Sequence, residues 1–542
     1  MSFLQLIRRE MQGSLPRLAV MSGLSGFGNA AILTAINSGA EAASSGEVGL
    51  LSAGFFIFAL ILFVKTQHYT LITTTAEIEA IIHRLRVRLL DEVRRSELLP
   101  LEEIGRAEIV AAITQNTATL AQAGGMFSFA AQAVVLITFV ALYVAYLSPL
   151  AFVLSVLIVG AAAGRFHAKT HELATGTREA AAWENRLFDR FMDVLDGFKE
   201  VRLNRTRSDD LFKDVLEVSR TAANIKIRTQ GEALKRVVFS QGSAYVLLGA
   251  MVFVVPAFSS DTLGASIQKT TMALLYVVAS AFGLVQSLPL FTAANAAADN
   301  IEQLETKLRT TVTGAPVSAV EPRKSFDTIE MRNLVFRYVD KSSEATFQVG
   351  PVDFTLRSGD LVFITGGNGS GKSTFLKLLA GLYQPESGEI TLDGVQVTDN
   401  ERDAYRASIA AIFSDYHLFH RLYGIPDPDP AEINRLLAQF RLLDKTSVTN
   451  GEFRTLDLSG GQRKRLALIV SLLEKRPILL LDEWTAEQDP EFRRKFYDEL
   501  LPQLNQTGAT VVVITHDERF LDEWHLPARR LRMDEGRFVE QR

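Results

Sequence analysis

Residues 366–373, GGNGSGKS, put four glycines, a lysine and two serines directly behind the apolar run LVFIT at 361–365. Glycine inside regular structure costs roughly 0.5–1 kcal/mol relative to alanine, so such a loop needs a compensating use. The spacing Gly366-x4-Gly371-Lys372-Ser373, with a strand before it and the apolar run TFLKLLAGLY after it, is that of a phosphate-cradling loop. Glycine lets the backbone wrap closely round phosphate oxygens, whose charge meets N–H groups and a helix N-terminus. Gly366, Asn368, Gly369, Gly371 and Thr374 are expected to line that cradle. Lys372 would reach the β- and γ-phosphates of ATP, and the Ser373 hydroxyl would ligate Mg2+.

Three further segments carry chemistry. ILLLDEW (478–484) is an apolar strand ending in two carboxylates, at the end of the strand where ligands gather in such sheets. Asp482 suits the Mg2+ shell, and Glu483 suits a base that orients an attacking water. VVVITHDE places His516 at the end of another apolar strand. LSGGQRKRLAL (458–468) sets Ser459, Gly460, Gly461 and Gln462 at a second helix start able to bind phosphate. One nucleotide cannot easily use both starts in one copy, whereas two copies facing head to tail could pair them.

These segments all lie in the second half of a 542-residue chain whose first 300 residues are strongly apolar. No charged side chain occurs in 18–40, 48–64, 109–164, 237–260 or 270–298. A spanning helix needs about 20 mostly apolar residues, so 109–164 supplies two spans with a turn at Ser148-Pro149. Six spans are expected, near 17–40, 47–68, 124–147, 149–168, 237–259 and 270–293. The connection 66–123 holds six arginines and 165–236 holds fifteen Lys and Arg, while the opposite loops hold almost none. This bias puts both long connections and both termini in the cytoplasm. The long connections read as helices continuing beyond the bilayer, and MSFLQLIRREMQ as a short amphipathic helix at the inner surface. A membrane domain over 1–310, a linker over 311–325 and a strand–turn–helix domain over 326–542 follow. With no Cys, disulfide and thiolate chemistry are excluded, and a net charge of -5 argues against nucleic-acid binding.

With phosphate loop, LSGGQ, LLLDE and strand-end histidine quoted, the chain resembles an ABC exporter half-transporter along essentially its whole length. The resemblance implies an all-α polytopic membrane domain followed by an α/β P-loop NTPase domain, acting as a homodimer in a bacterial inner membrane. It implies that Tyr338 stacks on adenine, that His516 acts as a switch, and that Asp489 communicates across the dimer. It also implies coupling helices in the two long connections. VLDGFKEVRLN (194–204) and DEWTAEQDP (482–490) are similar to the cyclic-peptide and siderophore exporters, so a peptide-like or amphipathic cargo is expected. Rival readings are a lipid or multidrug exporter and an ATP-dependent sensor or regulated channel. Two departures stand out. Where the family places a metal-contacting glutamine, this chain has Ser414 followed by Asp415, and either can take its place. The stretch 416–456 is short, so the helical subdomain there should be reduced. Gln132, Tyr143, Gln241 and Tyr276 are the polar span residues that could face a cargo cavity.

Overall fold

The structure, a computed structural model, describes residues 3–11, 15–44, 49–167, 170–258, 264–311, 323, 325–339 and 346–539. The chain divides into two compact units, Met1–Asp91 with Ala107–Thr306 and Glu92–Arg106 with Lys307–Arg542. Of the expected linker, only residues 311, 323 and 325 are described. In chain order the first eleven helices are α1 (Phe3–Glu10), α2 (Leu15–Ser44), α3 (Leu50–Arg95), α4 (Leu98–Ile104), α5 (Arg106–Ala111) and α6 (Thr117–Leu147). They continue with α7 (Pro149–His167), α8 (Thr170–Asp196), α9 (Phe198–Leu203), α10 (Arg205–Gly249) and α11 (Gly264–Thr311); α4 falls in the second unit.

Among the described residues, five helical stretches are long and apolar enough to cross a membrane: Pro16–Ala40, Leu50–Arg95, Glu108–Leu147, Arg205–Ala257 and Gln268–Arg309. The fourth expected span corresponds to the shorter apolar helix Pro149–Ala161. Residues 47, 48, 168 and 259 of the expected spans lie outside the described residues. At 1.5 Å per residue the 46 residues of α3 extend about 70 Å, more than twice the hydrocarbon thickness, in line with helices running well past a bilayer.

Apolar attraction between helices is weak in lipid, so close approach must come from small residues and hydrogen bonds. Gly124 shows this: a Cβ there would lie 2.5 Å from Ile78, so α6 touches α3 only because the side chain is missing. Thr74 and Ser128 share a hydroxyl hydrogen bond of 2.6 Å across the same pair of helices, and Ser25 donates to Gln67 at 2.8 Å. Phe55, Ile57, Phe58 and Ile61 of α3 are exposed, as a lipid-facing surface requires.

The N-terminal helix departs from expectation. Its apolar face does not lie open to a membrane surface: Phe3, Leu6 and Ile7 are buried in protein. The Phe3 N–H donates to Asn295 at 2.8 Å, and Arg88 of α3 binds both Glu10 (3.0 Å) and Glu305 (2.9 Å). The amphipathic pattern is real, but α3 and α11 fill the role assigned to lipid.

The second unit is α/β. After α4 and the end of α11 it continues with β1 (Thr328–Val339), β2 (Thr346–Arg357), β3 (Leu361–Thr365), α12 (Lys372–Leu379), β4 (Ser387–Leu392) and β5 (Val395–Gln396). Next come α13 (Arg402–Arg406), β6 (Ile409–Ile412), α14 (Pro430–Gln439), β7 (Val448–Thr449), β8 (Glu452–Phe453), α15 (Gly460–Leu473) and β9 (Ile478–Asp482). It closes with α16 (Pro490–Lys495), α17 (Leu501–Gln506), β10 (Thr510–Ile514), α18 (Glu518–Asp522), β11 (Arg529–Asp534) and β12 (Arg537–Val539). A six-stranded sheet in the order β12-β11-β3-β10-β9-β6 is parallel except for β12. A four-stranded antiparallel sheet, β2-β1-β4-β5, accompanies it.

A parallel sheet is buried on both faces, which explains the unbroken apolar runs. Phe363, Leu479, Leu481, Val511 and Val513 enter one core, and Val362, Ile364, Leu480, Val512 and Ile514 enter the other. The stretch 416–456 holds one ten-residue helix, α14, and the β7–β8 hairpin.

Candidate nucleotide site

The phosphate loop leaves β3 and enters α12 with little freedom. Gly366 has φ 145°, and a Cβ on it would lie 2.2 Å from the Met533 carbonyl. Gly371, the residue before α12, has φ 101° and supplies no capping side chain, so the first N–H groups of the helix are left for a ligand. Lys372 turns its ammonium onto the loop, donating to the carbonyls of Gly366 (3.0 Å) and Gly367 (2.9 Å). Burial pulls its pKa below the ordinary lysine value, opposed by the nearby charges of Glu483 and Asp482.

β9 lies beside β10, which lies beside β3, so their C-terminal ends gather Asp482, Glu483 and His516 near the loop. Asp482 is 1 % exposed, and neither carboxylate oxygen closes a hydrogen bond. Burial pushes its pKa up, and the Glu483 charge adds to this. The Ser373 hydroxyl, the Ser414 N–H and the Lys372 ammonium face it and pull the other way. Glu483 sits in the left-handed region, φ 47° and ψ 38°, and its Oε1 lies 3.0 Å from His516 Nε2. The structure thus brings together Lys372, Ser373, Ser414, Asp482, Glu483 and His516. Ser414 and Asp415 are both exposed.

The other expected residues are engaged differently. Ser459 caps α15, its hydroxyl accepting from the Gln462 N–H (3.4 Å) while Gln462 Oε1 accepts from the Ser459 N–H (3.1 Å). Gly461 packs so closely that a Cβ would lie 2.6 Å from the Glu487 carbonyl, and one on Gly460 would lie 2.2 Å from the Glu487 carboxylate. Asp489 caps α16 through the Phe492 N–H (2.8 Å) and pairs with Arg465. Its pKa is held below the usual carboxylate range, first by that N–H and then by Arg465. Tyr338 stands 44 % exposed on β1, open to stacking.

Several contacts had no sequence signal of their own. Glu97, just before α4, pairs with Arg406, and Glu102 accepts from Lys377 of α12 (3.1 Å) and from the Tyr383 hydroxyl (2.6 Å). Lys464 reaches back to the Glu483 carbonyl at 3.1 Å, and only its place after LSGGQ hinted at a role.

A phosphate loop and strand-end carboxylates on a parallel sheet, behind a unit of membrane-length helices, define a membrane-bound P-loop ATPase. The profile described as "ABC transporter" matches residues 349–486. The chain is 33% identical over 484 residues to the ATP-binding protein SyrD of Pseudomonas syringae pv. syringae, covering 85% of this chain and 82% of that protein. It is 35% identical over 226 residues to the mycobactin import ATP-binding/permease protein IrtB of Mycolicibacterium thermoresistibile, covering 39% of this chain and 37% of that one. Its fold matches the structure of a bacterial Atm1-family ABC exporter with ATP bound, with a TM-score of 0.77 and 19% identity over 98% of this chain and 95% of the other. The chain belongs to the ABC transporter family. It has the half-transporter arrangement of membrane helices followed by one ATP-binding domain, and its activity is ATP hydrolysis coupled to transport.

Proposed function

We propose that the protein is an ATP-driven exporter of a peptide-like molecule (a cyclic peptide, a siderophore or its precursor), working as a homodimer in a bacterial inner membrane. Residues 1–310 form the membrane domain and 326–542 the cytoplasmic ATP-binding domain in this reading. The observation that carries the ATPase part is the cluster of Lys372, Asp482, Glu483 and His516 at adjoining strand ends. Lys372 leaves the Gly366 and Gly367 carbonyls for the phosphates. Gly369, Asn368 and Thr374 line the cradle, and Tyr338 carries the adenine. Glu483 holds the attacking water and takes its proton, while His516 orients the carboxylate.

The buried Asp482 carboxylate with no closed hydrogen bond fits a cation. Mg2+ held by Ser373, Asp482 and Ser414 would neutralise charge developing on the phosphates. Ser459, Gly460, Gly461 and Gln462 act on the nucleotide of the second copy, and Asp489 carries the signal between copies. ATP binds the closed dimer better than the open one, and that difference turns the cavity outward.

Two observations support the cargo. A relative that matches 39% of this chain is named for the import of mycobactin. Between α2, α3, α6 and α11 lies a cavity of about 480 Å3 whose polar lining (Ser25, Asn29, Gln132, Ser280, Gln286 and Ser287) carries no charge. Uncharged amides and hydroxyls on an apolar wall suit a cyclic peptide, which satisfies much of its own backbone polarity, better than an anionic headgroup. Of the four polar span residues, Gln132 lines this cavity and Tyr143 a smaller one; Tyr276 donates to Asn29 at 2.6 Å, and Gln241 is exposed. The test is ATPase activity and uptake into inside-out vesicles with cyclic peptides, siderophores and lipids side by side. Peptides are expected to stimulate and accumulate. Stimulation by lipids alone would make it a lipid exporter, and ATPase without movement of any solute a sensor.

A further inference from the structure

We propose that Lys464 is a positioning residue that fixes the backbone of Glu483 and ties its carboxylate to the helix behind Ser459. The inference rests on the reading of Glu483 as the base. A residue other than glycine holds a left-handed conformation only where its surroundings over-determine it. At Glu483 they do. Its N–H donates to the Ile514 carbonyl at 3.1 Å, and its carbonyl accepts from the Ala486 N–H at 3.2 Å and from the Lys464 ammonium at 3.1 Å.

The last bond is answered in the opposite direction. The buried Trp484 indole N–H donates to the Lys464 carbonyl at 2.8 Å. Two reciprocal bonds therefore join the first turns of α15 to the turn that carries Glu483. Lys464 is 3% exposed, and its charge is met by Glu487 at 3.1 Å. Beside it, Gly460 and Gly461 let Glu487 lie against the first turn of α15, in space that a Cβ at either position would fill.

This linkage has a mechanical consequence. The start of α15 serves the nucleotide held by the partner copy, whereas Glu483 serves the nucleotide of its own. Through Lys464 a shift of α15 moves the Glu483 backbone, so engagement at one nucleotide adjusts the base at the other. A neutral, apolar side chain at 464 keeps the phosphate loop intact but leaves the carboxylate less well held against His516.

The experiment uses the full chain in lipid. Lys464→Met is expected to lower kcat about tenfold while the KM for ATP stays within about twofold. In a Glu483→Gln background the same change should cause no further loss of hydrolysis, because the group it positions is already gone. A merely structural lysine would lower activity by the same factor in both backgrounds, or weaken ATP binding in step with turnover, and either result overturns the proposal. If Lys464→Met does not fold, Lys464→Gln carries the same comparison with an uncharged donor. Normal turnover of Lys464→Met beside an inactive Glu483→Gln overturns this inference alone. Normal turnover of Glu483→Gln overturns the base reading and the inference together.

Discussion

Two helix starts in the ATP-binding unit are built from similar residues and left in opposite states. At α12 the preceding residue is Gly371, with no capping side chain, and a lysine amine rests on the loop carbonyls. At α15 the Ser459 and Gln462 side chains close a reciprocal cap. The first start is uncapped, and in the proposed reading its lysine must turn from the loop carbonyls to meet phosphate. The second is satisfied by its own chain and gives up a cap worth about 1 kcal/mol when it turns to a ligand. Charge-assisted bonds to phosphate are stronger than that, so the exchange is favourable only once a nucleotide is presented. In the reading proposed above, the uncapped start takes the nucleotide of its own copy and the capped start that of the second copy.

The largest expected effect leaves both starts untouched. Glu483→Gln keeps the shape of the side chain and removes the base, so hydrolysis should fall about a hundredfold or more while ATP still binds. Turnover by purified protein and nucleotide titration measure the two quantities separately, and near-normal turnover would remove Glu483 from the chemistry. Next in size is Lys372→Ala at the open start. A hydrogen bond to a charged group contributes about 1.5–3 kcal/mol, so ATP affinity should drop roughly tenfold to a hundredfold. Unchanged affinity would mean that the lysine stays on the Gly366 and Gly367 carbonyls with nucleotide bound.

The closed start should behave otherwise. Ser459→Ala costs α15 about 1 kcal/mol of capping and should leave ATP binding to the loop of the same copy unchanged while lowering turnover. Cysteines placed at Ser370 and Ser459 sharpen the point, since the chain has none of its own. In the Glu483→Gln background with ATP present they should cross-link between copies. An ATP affinity that falls with Ser459→Ala, together with no bond between copies across neighbouring pairs, would erase the distinction between the two starts.

What the sequence disclosed follows a physical line. Gly366, Gly371, Lys372 and Ser373 act within eight residues of chain, so their spacing is their geometry. Apolar stretches were legible for a related reason, because a span needs about 20 apolar residues in a row and charge interrupts them. Contacts made across the fold were not. Nothing in the spacing tells that Lys464 binds the carbonyl of Glu483, or that Glu483 sits at φ 47°. The apolar face of α1 was visible, but not that Phe3 would meet Phe291 and Asn295, nearly 300 residues away in the chain. Between Ser414 and Asp415 the sequence left a tie; the Ser414 N–H faces Asp482, a backbone contact that does not depend on the side chain.

The smallest expected effect concerns the far end of the helix whose start is open. Tyr383 follows α12 and donates to Glu102 of α4 at 2.6 Å, while accepting from Lys377 at 3.0 Å. Burial first, and the Glu102 carboxylate next, push the phenol pKa up to about 12 from an ordinary value near 10. A group whose folded pKa is raised contributes fully below its unfolded pKa and loses that contribution as pH rises through the folded one. The bond should therefore be constant at working pH. Tyr383→Phe removes one donor and leaves Lys377 on Glu102, so the protein should lose about 1 kcal/mol, by the same amount from about pH 6 to pH 9. ATP affinity should not change, since Gly371 and Lys372 are untouched. Cargo-stimulated ATPase should weaken more than basal ATPase if α4 acts on α12 through this contact. Thermal unfolding of the two proteins across that pH range reads the first expectation, and a stability difference that varies with pH would show that the phenol titrates and that its bond to Glu102 is not the one described.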